Sequence, residues 1–121
     1  MLIRVDPESP RPLFEQIAAS VRSDVLAGRL QAGDRLPAAR EVAEAIEVNV
    51  HTVLRAYQQL RDESLVDLRR GRGAVISASA GALAELRAEI GALVERAASL
   101  GLSPTALAAL IQESDDRGGA S

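Results

Sequence analysis

The sequence has no cysteine, no lysine and a single histidine. Without cysteine there is no disulfide, no thiolate zinc site and no cysteine nucleophile. Without lysine there is no Schiff-base chemistry. A lone His51 argues against His-rich metal sites and His-dependent triads. Aromatic residues amount to 2% of the chain, against 47% hydrophobic residues overall. The core must therefore be Leu, Val, Ile and Ala, a composition that favours helices. No apolar run approaches the roughly 20 residues that a membrane span needs. The first ten residues carry Arg4, Asp6 and Glu8 and hold no signal-peptide core. The 121 residues suit one small domain with an appendage, and the default expectation is a cytoplasmic protein.

An excess of positive charge is also missing. Fourteen Arg face 17 acidic residues, for a net charge of -3. Positions 1–76 balance, and the negative excess falls in positions 77–121. A nucleic-acid binder is often basic overall. Here such binding would rest on a local cluster, and Arg69, Arg70 and Arg72 form the one dense group.

A short strand is expected at Leu2–Val5, and then Pro7, Pro10 and Pro12 keep the chain irregular. From Pro12, Leu13, Ile17, Val21 and Val25 recur every four residues, which predicts a helix with Gly28 at its C-terminal end. Gln31–Asp34 reads as a turn. A short helix is expected from near Pro37 to Ile46. A third follows from about Val50 to Glu63, capped by Asn49, with Val53, Ala56, Tyr57 and Leu60 in one apolar stripe. Two short helices about a tight turn suggest helix-turn-helix. Leu65–Leu68 and Ala74–Ile76, around the glycine-containing turn Arg69–Gly73, predict a hairpin. Three helices and a hairpin in this order make a winged helix-turn-helix.

A long helix is expected over Ala80–Leu100. Leu83, Leu86, Ile90, Leu93, Ala97 and Leu100 alternate spacings of three and four, the a/d seam of a coiled coil. Ser103 and Pro104 open a last helix whose apolar face is Leu107, Leu110 and Ile111. The expected fold is mainly α. A winged helix-turn-helix fills residues 1–78, and a two-helix antiparallel dimerisation unit fills 79–114. A disordered tail is expected over 115–121.

Pro12–Ile76 resembles the winged-helix domain of the GntR family of bacterial transcription regulators. The matching stretches are Pro12–Ile17, Gly33–Pro37, Arg40–Ala43, Val48–Asn49, Thr52–Val53 and Gly71–Gly73. The run Val48–Tyr57 and the short two-helix tail look most like the YtrA-type subfamily. The resemblance implies a DNA-binding regulator, a repressor in the first instance, controlling a neighbouring operon, often one for transport components. Glu47 and Ser64 stand where the family usually has Gly. Both positions often need a left-handed backbone, where a side chain costs about 1 kcal/mol. Val50 and His51 replace a common Pro-Asn, and Leu54 replaces a frequent Arg.

In such domains the third helix enters the major groove with its N-terminal residues on base edges. Here those are Asn49, Val50, His51, Thr52, Leu54 and Arg55. Arg suits guanine and Asn suits adenine. Leu54 is either a scattered surface leucine or a contact for a thymine methyl. The family places an Arg at the position of Arg40 against DNA; the plain alternative is an i, i+4 pair with Glu44. Arg69, Arg70 and Arg72 form either a solvated turn or a cationic tip for phosphates or a minor groove.

The a/d seam either packs within its own chain or pairs two copies. Homodimerisation is the leading reading, because symmetric dimers suit paired half-sites. The expected partners are a double-stranded DNA operator and a second copy of the chain, with no membrane. No catalytic constellation, metal set or cofactor motif is legible, and Asp115–Asp116 reads as a charged tail. The small C-terminal unit leaves little room for an effector pocket of about 300–1,000 Å³, except at a dimer cleft. Two rivals stand beside this reading. One is a protein-interaction winged helix that lacks specific DNA binding. The other is an enzyme of the aminotransferase-fused kind, which the absence of lysine excludes.

Overall fold

The computed structural model describes residues 3–119. It contains α1 (Leu13–Leu26), α2 (Ala39–Ile46), α3 (Val50–Asp62), β1 (Val66–Arg69), β2 (Gly73–Ile76), α4 (Ser79–Ser99) and α5 (Pro104–Gly119). No helix among the described residues is long and apolar enough to cross a membrane. The chain divides into two compact units, Met1–Glu85 and Leu86–Ser121.

The first unit is a winged helix-turn-helix. Helix α3 packs on α1, α2 and β1. The stripe Val53, Ala56, Tyr57 and Leu60 is buried against Ile17, Val21 and Val25 of α1. Ile76, Val66 and Leu65 close the floor. The ends of the two long helices of this unit are tied by Arg22, whose Nε and Nη2 donate to the Glu63 carboxylate at 2.8 and 2.9 Å. Within the core, the Tyr57 hydroxyl donates to the Pro37 carbonyl at 2.7 Å. Burial, reinforced by the Glu41 charge, pushes that phenol well above its ordinary range.

The turn between α2 and α3 passes through Glu47 at φ 56°, and the turn after α3 passes through Ser64 at φ 64°. Both are left-handed, as expected of positions where glycine is usual. The side chains are accommodated at a cost of about 1 kcal/mol each. Gly28, at φ +80°, sits just past α1 in the expected role.

The wing differs from a simple hairpin. β1 and β2 pair antiparallel from Val66↔Ile76 to Arg69↔Gly73. The segment before α2 lies along the other edge of β2. Gly33 N–H donates to the Ile76 carbonyl, Ile76 N–H to Asp34, and Leu36 N–H to Ala74, at 2.8 to 2.9 Å. A bridge between Arg35 and Val75 completes this third edge. The expected turn at Gln31–Asp34 is present, closed by Asp34 N–H on the Gln31 carbonyl. The strand pairing that follows it was not legible in so short a stretch.

Two other expectations are corrected. Residues 3–5 form no strand, and Leu2 lies outside the described residues. Instead this arm is clipped to α1 by side chains: Arg4 N–H donates to Ser20 Oγ, and Asp6 N–H to Oε1 of the buried Gln16. Helix α2 starts at Ala39, near Pro37 as expected, and ends at Ile46. Helix α5 continues to Gly119, past the expected end at 114 and into the expected tail. The Asp116 side chain and Ala120–Ser121 lie outside the described residues.

The unit boundary also falls later than residue 78. The first turns of α4 belong to the winged-helix core, with Ala80 buried and Leu83 half-buried against it. Leu83, the first residue of the expected seam, thus packs in part on the first unit. In the second unit, α4 ends at Gly101 (φ +86°), where Leu102 N–H donates to the Ala97 carbonyl. Ser103 caps α5 by accepting from Ala106 N–H at 3.1 Å. Ala97 is buried and Leu107 half-buried. Leu86, Ile90 and Leu93 are 46%, 44% and 45% exposed, and Leu100, Leu110 and Ile111 are exposed further.

Candidate nucleic-acid interface

Burying Val53, Ala56, Tyr57 and Leu60 turns the other side of α3 outward by simple helix geometry. His51, Leu54, Arg55 and Gln58 are exposed there. Leu54 is 41% exposed. Between this face and the wing lies a groove of about 450 Å³, bordered by Leu54, Gln58, Arg35, Arg69, Arg70 and Arg72. A larger concavity, about 800 Å³, is lined by the N-terminal arm, α1 and the turn after it. It includes no residue of α3 or of the wing.

The start of α3 is more committed to structure than its residue types suggested. Asn49 Oδ1 accepts from His51 N–H at 2.8 Å, so Asn49 is the helix cap. Bidentate pairing with adenine needs that same oxygen as an acceptor. Val50 is half-buried against the core and does not project freely. Thr52 is half-buried. The Arg55 guanidinium lies 3.9 Å from the centre of the Phe14 ring, a cation–π contact that turns it toward α1. His51 and Leu54 stand clear on the outward face as expected.

Arg40 is exposed in the first turn of α2. No ion pair joins it to Glu44, so the local-pair alternative does not hold. In the wing, Arg69 approaches Asp67 at 3.6 Å. The Arg70 and Arg72 side chains have no ion-pair partner among the described residues. The tip reverses through Gly71 (φ +81°) and Gly73 (φ +71°), which flank Arg72. Only glycine enters this backbone region at little cost.

Two members of this surface were not singled out from the sequence. Gln58 follows from the stripe: it is one turn beyond Leu54 and off the buried face. Arg35 was not legible, because it depends on the pairing of residues 34–36 with β2. The groove thus combines a polar and apolar helix face with unpaired guanidinium groups. Such a surface can meet base edges and phosphates together.

The model for the bacterial regulatory proteins of the gntR family matches residues 13–76, from α1 through the wing. The HTH-type transcriptional repressor YtrA of Bacillus subtilis is 40% identical over 65% of this chain and 61% of its own length. An HTH-type transcriptional regulator of Mycobacterium tuberculosis is 36% identical over 94% of this chain and 95% of its own. Among solved structures, YtrA from Sulfolobus acidocaldarius, a GntR-family transcription factor, superposes with a TM-score of 0.62. It is 31% identical, covering 82% of this chain and 99% of that one. Together with the three helices, the wing and the groove between them, these similarities show that the chain belongs to the gntR family of bacterial regulatory proteins.

Proposed function

We propose that the protein is a sequence-specific DNA-binding transcription regulator that represses by binding a two-fold symmetric operator as a homodimer. The observation that carries this reading is the groove itself. The outward face of α3 and the unpaired Arg70 and Arg72 border the same space. With α3 in a major groove, His51, Leu54 and Gln58 face base edges. The wing then meets the adjoining phosphates or minor groove, and Arg40 meets the backbone at the start of α2. Asn49 serves this surface chiefly by starting the helix, and Arg55 reads a base only by leaving Phe14. Repression is supported by the likeness to a repressor of known type. Homodimerisation is supported by the exposed side chains of Leu86, Ile90, Leu93, Leu100, Leu110 and Ile111.

A binding-site selection on wild type, Gln58→Ala and Leu54→Arg tests the reading. Both variants should change the preferred base at one position per half-site, and Leu54→Arg should also raise affinity. A good base contact discriminates by about 1–3 kcal/mol. Arg70→Ala should instead weaken specific and random duplexes alike and flatten the salt dependence by roughly one unit. An unchanged motif in both α3 variants would mean that α3 does not face the bases.

The exposed Leu54 on a near-neutral unit gives a second reading, a winged helix that binds protein rather than DNA. That reading requires wild type to show no salt-dependent binding to any duplex.

A further inference from the structure

The wing tip borders the groove. Two left-handed glycines flank Arg72, and three like charges crowd Arg69–Arg72. Repulsion and glycine freedom both favour an open, wandering tip. The turn itself is closed by Arg72 N–H on the Arg69 carbonyl at 3.1 Å, and one side chain from outside the hairpin adds to that restraint. Arg35 Nε donates to the Arg72 carbonyl at 3.1 Å. We propose that Arg35 is a positioning residue that holds the wing tip, and with it Arg70 and Arg72, in register with α3.

Arg35 is built for that task by its backbone. It bridges to Val75, and its neighbours on both sides are hydrogen-bonded to β2 through Ile76 N–H on Asp34 and Leu36 N–H on Ala74. Leu36 is buried, which anchors the strand-like segment to the core. The side chain therefore leaves a fixed base and reaches toward the tip. A guanidinium Nε–H has a direction set by its planar group, so it fixes an angle as well as a distance. The same residue borders the groove between wing and helix. A tip released from Arg35 changes the width of that groove and separates the wing cations from the helix. The role in DNA binding rests on the function proposed above; the restraint on the wing does not.

The test uses the full chain carrying Arg35→Met, with thermal melting as a folding control. In the free protein, backbone relaxation at Gly71, Arg72 and Gly73 should fall from rigid order parameters of about 0.85 to below about 0.6, with the rest of the unit unchanged. On duplex DNA at low salt, Arg70→Ala should cost about ten-fold in an otherwise wild-type chain. It should cost less than about three-fold alongside Arg35→Met, because the released Arg70 contributes little. Retained order at 71–73 in Arg35→Met overturns the proposal. So does an equal cost of Arg70→Ala in both backgrounds, which would make Arg35 an independent phosphate contact. If wild type binds no duplex, the DNA-binding reading fails, and the relaxation measurement still decides whether Arg35 restrains the wing.

Discussion

The two compact units use the same side chains to different ends. In the first, Ile17, Val53, Leu60 and Ile76 are fully enclosed, and the unit closes its own core. In the second, Leu86, Ile90 and Leu93 leave nearly half of their surfaces open. The apolar composition is similar and the helices are well formed in both. What differs is geometry. Three helices and a wing surround a centre, whereas a single a/d stripe on one helix has a line to cover and needs another surface to do it. One unit is complete as a monomer, and the other is the place where a second copy is proposed to complete it.

The strongest way to break this contrast is to charge the stripe. Leu93→Asp should convert a dimer into a species of the 12.8 kDa chain mass by light scattering at micromolar concentration. Operator affinity should fall with it, while the winged-helix unit keeps its near-native amide spectrum. A wild-type chain that is already monomeric would end the dimer proposal. The converse change is Leu60→Ala, in the closed core. It should destabilise the first unit by about 2–5 kcal/mol in denaturant melts and leave the oligomeric mass unaltered. Loss of dimer mass in that variant would show that the units are not energetically separable. The smallest effect concerns the left-handed turns. Glu47→Gly and Ser64→Gly should each stabilise the first unit by up to about 1 kcal/mol, partly offset by the greater freedom of glycine in the unfolded chain. A destabilisation at either site would mean that the native side chain makes a compensating contact.

Much of the first unit was legible because its signals are local. The four-residue spacing of Leu13, Ile17, Val21 and Val25 specifies α1, and the stripe on α3 specifies which face is buried. Asn49 and Ser103 announced their helices as caps, and both accept the expected backbone hydrogen bonds. Periodicity identifies a face but not what covers it. That is why the seam's phase did not show that Leu83 packs in part on the winged-helix core. It is also why Arg55, outward by phase, turns back onto Phe14. The pairing of residues 34–36 with β2 joins segments about 40 positions apart, and three residues carry no strand period. The groove inherits both kinds of information: its α3 side follows from the stripe, and its Arg35 side does not.

The order of the wing's edges has one more consequence. β2 is flanked on both sides, by β1 and by the segment at Arg35. Among the described residues β1 pairs with β2 alone and is the outer strand. An unpaired strand edge is a template on which another chain can add, and natural sheets discourage this with short strands and charge. β1 is four residues long and presents Asp67 and Arg69, with Arg70 just beyond. The charges at the wing thus also suit the principle that a sheet edge is protected against strand addition. Neutralising Arg69, Arg70 and Arg72 together also strips this edge of charge, so DNA affinity in such a variant is to be measured beside self-association at the same concentration.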